Sequence, residues 1–416
     1  MTAFQTISLL LTTAAAGACI NHKFLKLPPS IGMMAFALFI SFVGIGLNHF
    51  SLIDLREASD FVARLDFSNI LLHGLLSFLL FAAAMHINLA DLKKYRSIVA
   101  VLATVGVVIA TVVTGSLVWY ASSLLNYNLS FIDALLFGAL IAPTDPVAVM
   151  GILKDTKVSK DLLVKIGSES LLNDGVGVVI FLVILNIATH PDMQISLSEI
   201  GFLLEWAGGG GMALGLALGW LGWQTLRHID DYKIEVLVTL AIATGGYCLA
   251  EYVHVSAPIT MVAAGLVVGH HGRLFGMSSH TRKHVDMFWE LIDEILNAVL
   301  FMLMGLMMIV ISMKTMHMPI GIIAIVATLI GRLVSVGIPI LLMDTRFGFS
   351  RGTITLLTWG GLRGGIAMAL ALSIPAIENK DTILTMTYVT VIFSVLVQGT
   401  TFRTVAQRVI RQEKAK

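Results

Sequence analysis

The chain has 416 residues, of which 57% are apolar and only 13% are charged. A soluble domain carries about 25% charged residues, so this composition excludes an ordinary soluble protein. The net charge of +1 gives no reason to expect a nucleic-acid partner. Apolar runs of about 20 residues, the length that crosses a bilayer as a helix, recur along almost the whole chain. They predict an all-α polytopic membrane protein in contact with membrane lipid.

Thirteen apolar spans follow one another, joined by short connections. They lie near residues 3–20, 27–48, 68–88, 97–125, 130–153, 161–188, 198–225, 233–252, 256–272, 287–312, 317–343, 352–374 and 383–407. The first span has neither a basic leader nor a small-residue cleavage site, so we expect it to be retained. We expect no soluble regulatory domain, because only a short tail at 408–416 follows the last span.

The positions of Lys and Arg predict how the spans are oriented. If the amino terminus is outside and the carboxy terminus is cytoplasmic, most of the 27 basic residues fall in inside connections, as the positive-inside rule requires. The exceptions outside are Arg56, Arg64, Lys314 and Lys380, and those within spans are Arg332 and Arg363. A missed or extra span would reverse the side of every later connection, so the charges favour an odd number of spans.

Two pairs of spans, each seven apart, resemble one another. Span 3 contains FLLFAAAMHI and span 10 contains VLFMLMGLMMIV, while spans 5 and 12 are both interrupted near the middle. Because seven is odd, the members of each pair run in opposite directions, which predicts two inverted six-helix repeats. We expect the first repeat in residues 1–188, a linking helix at 198–225 and the second repeat in residues 233–407, all within one transmembrane domain.

The fifth span is interrupted by the sequence IAPTDPVAV at residues 141–149. Pro143 and Pro146 lack a backbone N–H, and each disfavours helical geometry in the residue before it. Carbonyl groups without partners are tolerated at membrane depth only where they are buried in protein or line a polar cavity. Together with Thr144 and Asp145 they offer the oxygen ligands that a hard cation prefers. A simple proline kink with a locally satisfied Asp145 is the alternative.

The sixth span carries SESLLND at residues 168–174 inside an otherwise apolar helix. On a helix, Ser170 and Asp174 share one face, as do Glu169 and Asn173. An ionised carboxylate at mid-membrane costs at least about 2.5 kcal/mol, so it must face a cavity, pair with a cation or take a proton. Burial favours the protonated form of a carboxyl group and a nearby cation favours the ionised form, so one group can exchange a proton for a metal ion. Polar residues that only link helices are the alternative.

Two arginines lie deep within apolar spans. We expect Arg332 to pair with Glu169, which leaves Asp145 and Asp174 for a cation. Arg363 lies in WGGLRGGIAM, where four glycines let the backbone loosen. Its charge would balance carbonyl ends at a second helix break or pair with a carboxylate. An arginine that snorkels to the surface is the alternative.

Other polar residues give weaker signals. Four of them, at the start of the tenth span, would either line a cytoplasmic funnel or form a solvated turn: Glu290, Asp293, Glu294 and Asn297. Four histidines lack metal-site spacing and are expected to serve in packing or at an interface: His73, His86, His270 and His271. The two cysteines, Cys19 and Cys248, lie in apolar runs, and we expect them to be buried thiols.

No motif in the chain predicts catalysis. The sequence has no HExxH, no CxxC and no glycine-rich phosphate loop, so we expect neither an enzyme nor a bound cofactor. An intramembrane enzyme that uses Ser170 would need a positioned base, which the sequence does not offer. A cation channel or uniporter remains an alternative to exchange.

Three motifs occur in one order along the chain: Thr-Asp-Pro in span 5, Glu-Ser-x-x-Asn-Asp in span 6 and Gly-Gly-Leu-Arg-Gly-Gly in span 12. Together they resemble the monovalent cation:proton antiporters of the NhaP/NHE type, over essentially all 416 residues. The resemblance implies a homodimer in the cell (plasma or inner) membrane, in which a core half moves against a dimerisation half. It also implies exchange of Na⁺, Li⁺ or K⁺ for H⁺ by alternating access.

The resemblance further implies roles for individual residues. Asp174 would bind the cation and the proton in turn. The further Na⁺ ligands would be Asp145, Ser170 and the backbone at Thr144. Asn173 stands where electrogenic relatives have Asp, which implies electroneutral exchange, and it belongs to the same cation site. Glu169 and Arg332 would form the structural ion pair of the family.

The chain departs from the family pattern in the third span. Many NhaP-like members carry a carboxylate after Leu-Leu-Phe, where this chain has Ala82 in LLFAAAM. If that carboxylate helps to bind Na⁺ in relatives, this protein has one ligand fewer. Exchange of K⁺ for H⁺ by the same fold is therefore the alternative to Na⁺ exchange, and the pH optimum stays open.

Overall fold

The computed structural model describes residues 3–87, 89–145, 149–150, 160–190, 197–270, 272, 278–311, 317–347 and 352–414. Pro146 and His271 lie outside the described residues, as do several basic residues of the connections. Every secondary-structure element in the described ranges is helical, in agreement with the predicted all-α class.

The described residues up to 189 contain eight α-helices longer than a single turn. They are α1 (Ala3–Ile20), α2 (Pro29–His49), α3 (Arg56–Arg64), α4 (Leu76–His86), α5 (Leu89–Ala103), α6 (Val105–Leu124), α7 (Phe131–Ile141) and α8 (Lys160–Thr189). A helical turn at Phe67–Asn69 and a wider π-helical segment at Ile70–Leu75 lead directly into α4.

The described residues from 197 onward contain nine further α-helices. They are α9 (Leu197–Leu226), α10 (Tyr232–Tyr252), α11 (Ala257–Val267), α12 (Ser279–Leu306), α13 (Met318–Phe347), α14 (Thr353–Trp359), α15 (Gly365–Ser373), α16 (Lys380–Phe393) and α17 (Gly399–Lys414). A π-helical segment at Ser394–Gln398 joins the last two helices.

Nine helical stretches of the described chain are long and apolar enough to cross a bilayer. They cover Pro29–His49, Ser59–His86, Leu92–Leu124, Leu162–Thr189, Gly201–Leu226, Tyr232–Tyr252, His280–Ile309, Met318–Met343 and Lys380–Arg411. The other four predicted spans coincide with α1, α7, α11 and the pair α14–α15. Two of these four, α7 and α14, end early because the chain is interrupted there.

The unwound segments that follow the interrupted helices α7 and α14 meet each other. α7 begins where the Ser130 side chain accepts a hydrogen bond from the Asp133 N–H at 3.1 Å, and it ends two residues before Pro143. α14 ends at a run of glycines, and helical structure resumes at α15. Between the two breaks the Asp145 N–H donates to the Leu362 carbonyl at 2.7 Å. This bond fixes the two unwound segments against one another.

Small residues allow α7 to lie close to α6. A Cβ atom on Gly138 would collide with the Thr111 carbonyl oxygen and would lie 3.1 Å from the Gly115 nitrogen. Close backbone approach through small residues is how helices associate in lipid, where there is no hydrophobic driving force between them. The broken helix is therefore held in place by its neighbour and not only by its own hydrogen bonds.

The buried side chains form two large apolar clusters. The larger one surrounds the two breaks and includes Phe137, Phe301 and Tyr388. The second lies between α4, α10, α11 and α12 and centres on Phe81 and Trp289, whose rings are 4.9 Å apart. The functional cavity described below has walls from both clusters.

The two cysteines correct one expectation, because Cys19 and Cys248 are exposed and not buried. A polytopic protein turns many apolar residues outward to lipid, so an apolar sequence context does not imply burial inside the protein. The outer face of α9 illustrates the same point, since Phe202, Trp206 and Trp220 are all exposed.

Candidate ion-binding site

The unwound segment after α7 is held by side chains of α8. The Thr144 N–H donates to the Asn173 Oδ1 at 3.1 Å, and the Asn173 Nδ2 donates to the Thr144 Oγ1 at 2.8 Å. The Ser170 Oγ lies 2.8 Å from the same Thr144 hydroxyl. All three residues are buried, so this part of the break is a fixed polar structure and not a loose turn.

An ion pair lies behind this network. Arg332 of α13 donates from its two terminal nitrogens to the two carboxylate oxygens of Glu169, each at 2.7 Å, and from Nε to the Leu357 carbonyl at 3.2 Å. The Asn173 Nδ2 also donates to Glu169 at 2.8 Å. The side chain of Glu169 is 1% exposed and that of Arg332 is 8% exposed. Because its two oxygens are both engaged, Glu169 is poorly placed to bind a mobile cation.

Arg363 serves the other helix break and does not snorkel to the surface. The residue is 2% exposed, and its Nη1 donates to the carbonyl of Ala142 at 2.5 Å and to that of Pro143 at 2.8 Å. Its backbone N–H donates to the Ser394 Oγ at 2.9 Å. The arginine of the second break thus satisfies two carbonyls that have no helical partner at the first break.

A narrow cavity of about 60 Å³ lies between these helices. Its apolar wall comes mainly from α4, and its polar wall comes from the segment after α7, from α8 and from α12. The polar lining residues are Thr144, Asp145, Asp174, Asp293 and Asn297. A site of this size and polarity has room for a few water molecules or for an ion with part of its hydration shell.

Asp174 is the most exceptional group in this cavity. It is 5% exposed, and it takes part in none of the hydrogen bonds or ion pairs found among the described residues. The charges of Asp145, Glu169 and Arg363 act on it. A buried carboxylate in such a position must take up a proton or meet a cation, because an isolated buried charge is far too costly.

The structure divides the predicted cation ligands into two groups. Thr144, Asp145 and Asp174 line the cavity, as does Pro143. Ser170 and Asn173 lie behind Thr144 and bond to it, and neither lines the cavity. Of the predicted helix-break residues, Pro143 and Arg363 are in place at the site, and Pro146 lies outside the described residues.

The polar residues of α12 also divide into two groups. Asp293 and Asn297 line the cavity, whereas Glu290 and Glu294 are exposed. The sequence alone predicts either a funnel or a solvated turn for all four. The spacing of Asp293, Asn297 and Leu300, which puts them on one helix face, was the signal that could have separated them.

The α4 face that lines the cavity carries Leu76, Leu79, Leu80 and Ala83. Ala82 does not belong to this face, since it is completely buried in the second apolar cluster. In this structure a carboxylate at position 82 would therefore not project into the cavity, whereas one at position 83 would. A carboxylate that the resemblance implies at position 82 would thus not by itself be a ligand in the cavity wall.

Comparison with known proteins shows the family of the chain. Residues 9–408 match the family model described as "Sodium/hydrogen exchanger, transmembrane". The chain belongs to this family. Within it, the chain is 44% identical over 413 residues to the Na⁺/H⁺ antiporter NhaP of Pseudomonas aeruginosa, covering 98% of this chain and 96% of the relative. It is 31% identical over 401 residues to the Na⁺/H⁺ antiporter NhaH of Halobacillus dabanensis, covering 95% of each.

A solved structure of the same architecture supports the fold of this family member. The sodium proton antiporter MjNhaP1 from Methanocaldococcus jannaschii, solved at pH 8, superposes with a TM-score of 0.77 and covers 99% of this chain and 100% of that one. The sequence identity is 20%, so this likeness concerns the fold alone. The chain is thus a helical membrane protein of the sodium/hydrogen exchanger family.

Proposed function

We propose that this protein is an electroneutral Na⁺/H⁺ antiporter of the cell membrane, in which one Na⁺ and one H⁺ compete for Asp174. A core that contains the two broken helices moves relative to the rest of the protein and opens the cavity to each side in turn. The relatives named above are Na⁺/H⁺ antiporters, and Na⁺ for H⁺ is accordingly the reaction assigned to this chain.

One observation carries the proposal: a buried carboxylate with no hydrogen-bond partner among the described residues lines a cavity together with another acid and a hydroxyl. Asp174 has room beside it for a cation, and Asp145 and Thr144 offer oxygen atoms on the same wall. Hard monovalent cations favour such oxygen ligands. A proton satisfies the same carboxylate when the cation leaves, so each occupant excludes the other.

The surrounding groups would keep this site in shape during exchange. Glu169 and Arg332 act as a structural pair, because they bind each other and not the cavity. Arg363 neutralises the carbonyl ends of the break, while Ser170 and Asn173 position Thr144 from behind. In this arrangement Na⁺ is coordinated by Asp174, Asp145 and Thr144, with Ser170 reaching the ion only through the Thr144 hydroxyl.

The proposed architecture has thirteen membrane crossings in two inverted repeats, with α9 as the linking helix. The amino terminus is outside and the carboxy terminus is cytoplasmic, in keeping with the distribution of basic residues. The protein works as a homodimer in the plasma or inner membrane. Because each repeat contributes one broken helix, the two unwound segments meet at the same depth.

Exchange of K⁺ for H⁺ is the second candidate. It is favoured by the α4 face of the cavity, which is wholly apolar and offers Ala83 where a carboxylate would add a ligand. A site with fewer charged oxygen ligands discriminates less against K⁺, which is larger and more easily dehydrated than Na⁺. Dye-reported exchange with Na⁺, Li⁺ and K⁺ across a pH series decides between the two ions.

The decisive experiment replaces Asp174 with Asn in protein reconstituted into liposomes that contain a pH-sensitive dye. We expect Asp174→Asn to reduce Na⁺-driven proton flux by at least about a hundredfold, because an amide cannot alternate between a proton and a cation. Its melting temperature should not fall, since no hydrogen bond is lost. The matched control is Glu294→Gln, which removes an exposed acid. Wild-type flux in a folded Asp174→Asn protein would refute the proposal.

A further inference from the structure

A third carboxylate lies in the cavity, and neither the motifs nor the proposed function assigns a role to it. Asp293 projects from α12, whereas Asp145 and Asp174 come from the unwound segment and from α8. The neighbouring acids of α12, Glu290 and Glu294, are exposed on other faces of the helix. The acidic wall of the cavity is therefore built from three separate elements, and Asp293 is the contribution of α12.

The side chain of Asp293 is held in a defined orientation. The Nδ2 of Asn297 donates to the Asp293 Oδ1 at 3.1 Å and to its backbone carbonyl at 2.8 Å. Asn297 is buried and lines the same cavity. The buried amide of Asn297, one helical turn further along α12, therefore holds the Asp293 carboxylate in place. A surface acid, in contrast, rotates freely.

Exposure distinguishes Asp293 from Asp174, and the third acid of the cavity, Asp145, is partly buried like Asp293. Asp293 is only partly buried, while Asp174 is almost wholly buried and makes no hydrogen bond among the described residues. A cation that enters from water therefore meets Asp293 while it still keeps part of its hydration shell. Asp174 can receive the cation only after more of that shell has been removed.

We propose that Asp293 is the access carboxylate of the cavity, which attracts a partly hydrated monovalent cation and passes it to Asp174. This inference rests on the proposed antiport function. A negative charge a few ångströms from the path raises the local concentration of cations. It also offsets the dehydration cost of the ion, a task for which the apolar face of α4 offers no group.

A role of Asp293 in cation access predicts a different result from a purely structural role. Removing the charge of Asp293 lowers the occupancy of the cavity at a given Na⁺ concentration but leaves the binding carboxylate intact. Asp293→Asn should therefore raise the apparent KM for Na⁺ roughly tenfold and change the maximal rate by less than about twofold. An inert salt that screens charge should reduce the difference in KM between Asp293→Asn and the wild-type protein. Asp293→Glu keeps the charge and should restore most of the affinity.

The experiment measures Na⁺-driven proton flux in proteoliposomes over a range of Na⁺ concentrations, at low and high choline chloride. Glu294→Gln, the next acid along α12, is the matched control and should keep the wild-type KM. If Asp293→Asn does not fold, Asp293→Ser removes the same charge with a smaller side chain. An unchanged KM in a folded variant, or a loss of maximal rate alone, overturns the role of Asp293. Absence of Na⁺-driven flux in the wild-type protein would instead overturn the antiport function.

Discussion

The buried ion pair between Glu169 and Arg332 is the residue-scale feature on which the rest of the site depends. Arg332 donates a hydrogen bond to each carboxylate oxygen of Glu169, and Asn173 links that carboxylate to Thr144. A disturbance of the pair therefore reaches the unwound segment through a single amide. Through these contacts the structural pair supports the neighbouring site, which in the proposed function binds a mobile ion.

Arg332→Ala should destabilise the protein by about 3–5 kcal/mol, because it leaves the Glu169 carboxylate buried without its cation. The double variant Glu169→Ala/Arg332→Ala should lose less than the sum of the two single variants, since no unpaired charge remains. Thermal melting of the purified proteins in detergent measures both effects.

A control for this prediction is the ion pair between Arg282 and Asp286, whose atoms are 3.8 Å apart on the partly exposed surface of α12. Arg282→Ala should change stability by less than about 1 kcal/mol, because solvent screens such pairs. Equal melting temperatures for Arg332→Ala and Arg282→Ala would contradict the larger contribution to stability predicted for the buried pair.

At this scale the sequence could indicate which residues need partners but not every partner. Glu169 was matched with Arg332 because each was a deep charge of opposite sign. The bond from Arg363 to the carbonyls of Ala142 and Pro143 was not foreseen in this form, since it joins two breaks about 220 residues apart. The one-residue difference between Ala82 and Ala83 was equally out of reach, because the rotation of α4 is set by packing.

At the scale of elements, the crossing of the two broken helices tolerates little added volume. Gly364 caps the start of α15, and a Cβ atom there would lie 2.8 Å from the Cβ and Cγ of Asp145 and would collide with a carboxylate oxygen. Asp145 is tied to Leu362 by its backbone N–H, so it cannot simply move away. The glycine therefore permits the close approach of the two unwound segments.

Gly364→Ala should reduce exchange by at least about tenfold and destabilise the protein by about 1–3 kcal/mol, as overpacking does elsewhere. Gly245→Ala is the matched control, because a Cβ on Gly245 of α10 meets no atom within 4 Å. Exchange assays and melting of both variants test the prediction. If Gly364→Ala behaves like Gly245→Ala, the two segments can separate without cost and the crossing is looser than its contacts imply.

Much of the element level could be predicted, because each break has a local cause. Pro143 ends α7 by removing a donor, and the glycines before α15 weaken the helix after Trp359. The π-helical segments at Ile70–Leu75 and Ser394–Gln398 have no such marker in the sequence. They depend on packing against neighbours, which periodicity and propensity do not report.

At the scale of the whole molecule, the cavity is a product of topology. Its walls come from α4, α8, α12, α15 and the segment after α7, which are far apart in sequence. The motifs indicated that carboxylates and broken helices belong together, but they could not indicate that α12 completes the wall. The helical class, the apolar spans and the family follow from sequence, whereas the cavity requires the assembled structure.

The charge balance of the site predicts how the whole protein responds to voltage. If Asp174 carries either one Na⁺ or one H⁺, the moving core has the same charge in both directions. Moving one net charge across 100 mV would involve about 2.3 kcal/mol, so an electrogenic exchanger would generate current on each cycle.

Proteoliposomes on a solid-supported membrane should therefore show no transient current when Na⁺ is added, while the same preparation shows proton flux by dye. Gramicidin supplies the positive control for current. A current that scales with the dye-reported flux would require a second titrating group in the cycle, and Asp145 and Asp293 are the two carboxylates in the cavity from which it would come.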